Sequence, residues 1–275
     1  MAFIQMALQS QALLRTVNVN VILPCDKVTF PGMPAIDPRP MKTLYLLHGM
    51  FGSQSDWVNY TNIQRYAEEK DLCVVMPQGD NSYYVDRPEE GNNYGTFIGE
   101  ELVQLTRKMF PLSDKRENTY IAGLSMGGYG ALRNGLKYAE TFGRICALST
   151  ADISEDLELL NEDIPFVLMK PSFVKSLLGD LEKIPESDGN IRYLAGQTAE
   201  RGIKPKVYLA CGSEDQLLPK SRRIKACLEE LGYDLTYNET PGGHEWPFWD
   251  KHIKAFIDSL PLTANAGMNS GNVGL

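Results

Sequence analysis

The 275 residues hold only three histidines and five cysteines, and no CxxC or H-E-x-x-H spacing occurs. Those absences remove the usual zinc-ligand signatures, so neither a metal nor an organic cofactor is expected. Cys25, Cys73, Cys146, Cys211 and Cys227 are odd in number and scattered. They make no disulfide framework and read as reduced, mostly buried thiols of a cytoplasmic protein. Basic charge is also short: 27 Lys and Arg against 35 Asp and Glu leave a net charge of −8. Phosphate binding needs a basic face, so a nucleic-acid partner is disfavoured, as is adsorption to an anionic membrane. No unbroken apolar run approaches the ~18 residues of a membrane span. The amino terminus, MAFIQMALQSQALLRTVNVNVILP, has no basic start and is interrupted by Gln5, Gln9, Ser10 and Gln11, so no signal peptide is expected.

What the chain has instead is a rhythm. AFIQMAL and SQALLRTVNVNVILP alternate as an antiparallel hairpin would. Beyond the Pro-rich loop FPGMPAIDPRP come apolar runs that end in turns: TLYLLHG, LCVVMPQG, TYIAGLS, RICALST, KVYLACG and DLTYNETPGG. Helix-like segments separate them. In EELVQLTRKMF the helical spacing of Leu102, Leu105 and Met109 predicts one buried face. Apolar strands alternating with amphipathic helices predict an α/β domain over residues 1–260, with a mostly parallel twisted sheet covered on both faces. Functional residues should then gather at the carboxyl ends of the strands. From 152 to 202 no strand is apparent, and this stretch is expected to fold over the strand ends as a cap-like insertion. The small, polar tail 261–275 is expected to be disordered.

One such strand end reads Tyr120-Ile-Ala-Gly-Leu-Ser-Met-Gly-Gly. Gly123 to Gly127 fits G-x-S-x-G between a strand and a helix, which would expose the Ser125 hydroxyl on a strained turn. The Met126 amide would point where a tetrahedral oxyanion forms. A serine needs a base, and histidine is the usual one. His48 ends a strand and His252 sits inside a helical segment; His244 lies in the loop PGGHEW after the last strand. Its place makes it the expected base. The imidazole needs a carboxylate, and KVYLACGSEDQLLP offers two. Alternation along an extended exit favours Asp215, with Glu214 as the alternative; Asp180 and Asp188 read as solvated. The second oxyanion donor is expected from His48-Gly49-Met50-Phe51-Gly52, through the Met50 amide, with His48 holding that loop.

Together LLHGMFGSQSDW, VVMPQG, YIAGLSMGGYGAL, ACGSEDQLL and GGHEWPFWDKHI resemble the esterase D-like branch of the α/β-hydrolases, over roughly Phe3 to Leu260. Tributyrin and acetyl esterases are the most similar type, with feruloyl esterases beside them. The resemblance implies Ser125 as nucleophile, His244 as base and Asp215 as acid, with Met50 and Met126 forming the oxyanion hole. It implies a serine carboxylesterase for short-chain acyl esters, whose partner is a small-molecule ester, an acylated carbohydrate among the options. A feruloyl esterase is the alternative. An S-formylglutathione hydrolase-like thioesterase or acyltransferase is the other, although HGMFG stands where that type usually carries an SGLTC-like loop. Family members often pair or form tetramers, so a homo-oligomer stays open. Trp57 and Trp246 flank motif segments and are expected to line the acyl or alcohol pocket, whereas Trp249 reads as core.

Overall fold

The computed structural model describes residues 1–32 and 39–263. The centre of the Pro-rich loop and all but the first residues of the tail lie outside the described residues. Among the described residues ten strands form: β1 (Ala2–Ser10), β2 (Arg15–Leu23), β3 (Lys42–Leu47), β4 (Leu72–Pro77), β5 (Asp86–Arg87), β6 (Asn92–Asn93), β7 (Thr119–Leu124), β8 (Arg144–Leu148), β9 (Lys206–Gly212) and β10 (Leu235–Thr240). Eight of them make one sheet in the order β1-β2-β4-β3-β7-β8-β9-β10, while β5 and β6 form a separate ribbon. The β1–β2 and β2–β4 pairs are antiparallel, and every other pair in the large sheet is parallel. The amino-terminal hairpin and the mostly parallel sheet are therefore as the sequence pattern predicts.

The helices are α1 (Asp56–Tyr60), α2 (Ile63–Lys70), α3 (Tyr94–Thr96), α4 (Leu102–Met109), α5 (Met126–Lys137), α6 (Pro171–Leu178), α7 (Ile191–Glu200), α8 (Leu218–Glu230) and α9 (Trp246–Ser259). Strand side chains point alternately to two faces, and each face has its own core. Tyr45, Leu47, Val75, Ile121 and Ile145 pack with residues of α4, α5, α7 and α8. Leu44, Leu46, Val74, Tyr120 and Ala122 pack with residues of α1, α2 and α9. This is the α/β-hydrolase fold. Among the described residues no helix is long and apolar enough to cross a membrane.

One local expectation changes. The helical run before α4 contains a π-turn over Phe97–Glu101, whose wider turn rotates the residues that follow. The buried face of α4 is consequently Leu102, Val103 and Thr106, and Met109 stands 45% exposed. Between β8 and β9 the chain holds only helices and turns. Its last helix, α7, packs against α5 and α8 and belongs to the layer on the sheet. The earlier part is tied to α5, where Arg133 pairs with Asp188 and the Tyr129 hydroxyl donates to the Gly189 carbonyl.

Candidate active site

Ser125 joins β7 to α5 with φ 54° and ψ −118°, a backbone region that costs ~1–3 kcal/mol for a residue bearing a Cβ. The surroundings fix it there. Its amide donates to the Leu148 carbonyl at 2.8 Å, and its own carbonyl accepts from Tyr129 and Ala151 at 3.0 and 3.1 Å. The flanking glycines are needed for space: a Cβ on Gly123 would collide with the Gly127 carbonyl, and one on Gly127 would sit 2.5 Å from the Leu47 oxygen.

His244 stands above this turn. Its Nε2 lies 3.1 Å from Ser125 Oγ, and its Nδ1 lies 2.9 Å from Asp215 Oδ2. A carboxylate only accepts, so Nδ1 carries the proton and Nε2 keeps a lone pair for the serine hydroxyl. Asp215 is buried, and its other oxygen accepts from the Leu217 amide at 2.8 Å. Burial alone would raise its carboxyl pKa. The hydrogen bonds from His244, Leu217 and Ser149 outweigh that and hold it below its ordinary value, so the group stays charged. Glu214, the neighbouring carboxylate, does other work: it accepts from the Gly242 amide and the Ser213 hydroxyl, tying β9 to the loop that carries His244.

His48 is buried at the end of β3. The Gly79 amide donates to its Nε2 at 2.9 Å, so the proton sits on Nδ1, which donates to the Gly49 carbonyl at 2.7 Å. Burial lowers its pKa and keeps it neutral. Tyr84 secures the same loop, its hydroxyl donating to the His48 carbonyl at 2.9 Å. Tyr83 and Tyr84 both adopt positive φ, 53° and 57°; Asn134 from α5 holds the turn by donating to the Tyr84 carbonyl at 3.0 Å. Among the described residues no acceptor takes the amides of Met50 or Met126; Met126 follows Ser125 directly, and Met50 follows Gly49, at which a Cβ would lie 3.5 Å from that of Ser125.

The tryptophans divide differently from the sequence expectation. Trp57 is only 1% exposed and its indole N–H donates to the Leu47 carbonyl at 3.0 Å, so it is a core residue with no face for a substrate. Trp246 is half-buried and stacks on exposed Tyr60, with ring centroids 4.9 Å apart. Trp249 is buried and meets the His244 ring edge-on at 4.9 Å, while its N–H donates to Ser149 at 3.0 Å. Ser149, with its side chain shared between Trp249 and Asp215, is a positioning residue that sequence reading missed. Its only signal is its place at the exit of an apolar run, RICALST.

A cavity of about 230 Å³ is lined by none of Ser125, Asp215 and His244 but by residues bonded to two of them. Its wall includes Ala151, which is bonded to the Ser125 carbonyl, Leu217, bonded to Asp215, and Tyr83, whose hydroxyl lies 3.5 Å from Met50 Sδ. A larger hollow of about 420 Å³ lies between residues 85–90 and 175–189.

A serine on a strained strand-to-helix turn of this fold, facing an imidazole, is the arrangement of a serine hydrolase. The chain belongs to the esterase family described as "Putative esterase", whose model matches residues 10–260. It is 39% identical over 254 residues to an acetyl esterase of Caldicellulosiruptor saccharolyticus, across 92% of this chain and 96% of that one. Among solved structures it is similar to the S-formylglutathione hydrolase FrmB of Staphylococcus aureus, with TM-score 0.79 and 29% identity over 94% of this chain and 98% of that one. The fluorophosphonate-binding serine hydrolase FphF of the same organism gives TM-score 0.80 and 28% identity at the same coverage.

Proposed function

We propose that the protein is a serine carboxylesterase for short-chain acyl esters, working through Ser125, His244 and Asp215. The observation that carries this is His244 bridging Ser125 Oγ and Asp215 Oδ2 at 3.1 and 2.9 Å. Ser125 attacks the ester carbonyl as His244 takes its proton, and Asp215 stabilises the imidazolium. The Met50 and Met126 amides receive the oxyanion. His244 then protonates the departing alcohol, deprotonates a water, and the acyl group leaves Ser125 as a carboxylic acid.

The cavity supports a small acyl or alcohol group, because about 230 Å³ falls below the ~300–1,000 Å³ of drug-sized ligand sites. The Trp246–Tyr60 stack reaches His244 through Trp249, which backs the base with a ring at each contact. Five free thiols support a cytoplasmic location. A thioesterase is the second reading, favoured by the likeness to the S-formylglutathione hydrolase of Staphylococcus aureus.

The test is a p-nitrophenyl ester series from acetate to decanoate, with ethyl ferulate and S-formylglutathione alongside. Rates should peak between acetate and butyrate and fall to background in Ser125→Ala, losing most of ~10⁶-fold in kcat. Full activity in that variant would remove the assignment, and a strong preference for S-formylglutathione would move it to the thioester.

A further inference from the structure

The cavity walled in part by Ala151 and Leu217 contains a group that hydrolysis of a plain ester leaves idle. Asp152, on the loop leaving β8, lines it and is only 1% exposed. Its Oδ1 accepts from the Ser154 amide at 2.8 Å and the Ser154 hydroxyl at 2.7 Å. Its Oδ2 is buried with no hydrogen-bond partner among the described residues. Lys220 also lines the cavity, but its ammonium donates to the Asp152 backbone carbonyl at 2.6 Å and pairs with Asp156 at 3.2 Å. A buried acceptor left unmade costs ~1–3 kcal/mol, more when charged, and protein interiors rarely keep one without a water or a ligand. Most of the wall near it is apolar, with Ile153, Leu168 and Val174 among its residues. Glu155, Asp156 and Lys220 also line the cavity but are engaged in ion pairs, so the unpartnered Oδ2 is the acceptor left to orient what binds and to select for a donor.

We propose that Asp152 is a specificity-determining residue whose Oδ2 accepts a hydrogen bond from a hydroxyl on the substrate. The preferred substrates are then hydroxylated short-chain esters: partial esters of a polyol or sugar, or esters of a hydroxy acid. This rests on the esterase reading of the same site. The loop geometry ties the two together, because the amide of Ala151, adjacent to Asp152, is bonded to the carbonyl of the nucleophile at 3.1 Å.

Matched pairs that exchange one methyl for one hydroxyl test it. 2-Hydroxyethyl butyrate against propyl butyrate places the hydroxyl on the alcohol. p-Nitrophenyl 3-hydroxybutyrate against p-nitrophenyl 3-methylbutyrate places it on the acyl group. The wild type should show kcat/KM about 10- to 100-fold higher for the hydroxyl member of one pair, the range expected for a hydrogen bond to a charged acceptor. The pair that responds identifies where the hydroxyl sits. In Asp152→Ala and Asp152→Leu that ratio should fall to about one or below. Because it is a ratio, it is unaffected by the fraction of each preparation that is folded. A ratio near one in both pairs of the wild type, or one that survives both substitutions, overturns the inference. If the four esters are still turned over in a Ser125-dependent way, the esterase reading stands without it.

Discussion

Replacing Asp215 by asparagine exchanges one oxygen for an –NH2 and should cost about four orders of magnitude in kcat. The carboxamide can keep the Leu217 amide on its carbonyl oxygen, since that bond uses Oδ1. The –NH2 then replaces the oxygen that faces His244 Nδ1 at 2.9 Å. Two donors cannot share that contact, so the imidazole moves its proton to Nε2, where it points at Ser125 instead of accepting from it. The base is lost in its ground state, and the charge-assisted bond that would stabilise the imidazolium, ~1.5–3 kcal/mol, is lost as well. Tautomer and charge together amount to about 5.5 kcal/mol, or 10⁴-fold. The assay is steady-state hydrolysis of p-nitrophenyl butyrate, with KM expected to move little because Asp215 does not touch the substrate. Glu214→Gln is the control: it weakens the tie from β9 to the Gly242 amide but leaves the tautomer intact, and should cost far less. An Asp215→Asn enzyme within tenfold of wild type, or a Glu214→Gln enzyme that falls as far, would refute the argument.

Three further outcomes concern stability. Burial, and then the charge of Glu155, raise the Asp152 carboxyl from 3.8 to about 6, against the pull of Ser154 and Lys220. The folded state thus holds this proton more tightly than the unfolded chain, and its contribution to stability declines as pH rises from about 4 to 6, by about 3 kcal/mol. Asp152→Asn should be the more stable protein at pH 8 in urea melts, with the gap closing near pH 4; a less stable variant at pH 8 would contradict this. His252 behaves oppositely. Its two nitrogens face the hydroxyls of Tyr208 and Thr240, and burial, with the charge of Lys251, lowers its pKa from 6.5 to about 4. Stability should fall by about 3 kcal/mol as pH drops across that window, and His252→Gln should flatten that limb; parallel curves would refute it. Trp57→Phe removes the donor to the Leu47 carbonyl and should cost ~1–3 kcal/mol in Tm-derived stability without altering chain-length preference. A shifted preference would return Trp57 to the pocket.

Much of this architecture is legible in the sequence because parallel strands buried on both faces leave continuous apolar runs, and their ends are marked by turns. Ser125, Asp215 and His244 each follow such a run, which is why residues so far apart in the chain can be expected together. The order of the runs leaves Glu214 beside Asp215, and only alternation and the family resemblance favour the latter. Two kinds of information are not carried locally. The direction of a side chain depends on its element: Trp57 adjoins the HGMFG motif yet faces the helix-covered core, and the π-turn at 97–101 redirects α4. Nor do partners far apart in sequence declare themselves. Ser149 meets Trp249 across a hundred residues, and Asp152 matters only because its neighbours surround it without reaching Oδ2.

The most direct measurement is to trap the covalent intermediate. Mixing enzyme with p-nitrophenyl butyrate, quenching in acid within the burst and sequencing the digest by mass spectrometry should find the butyryl group on Ser125, and nowhere in the Ser125→Ala protein. A butyryl group on another residue, or a Ser125→Ala enzyme that turns over at the wild-type rate, would contradict the account.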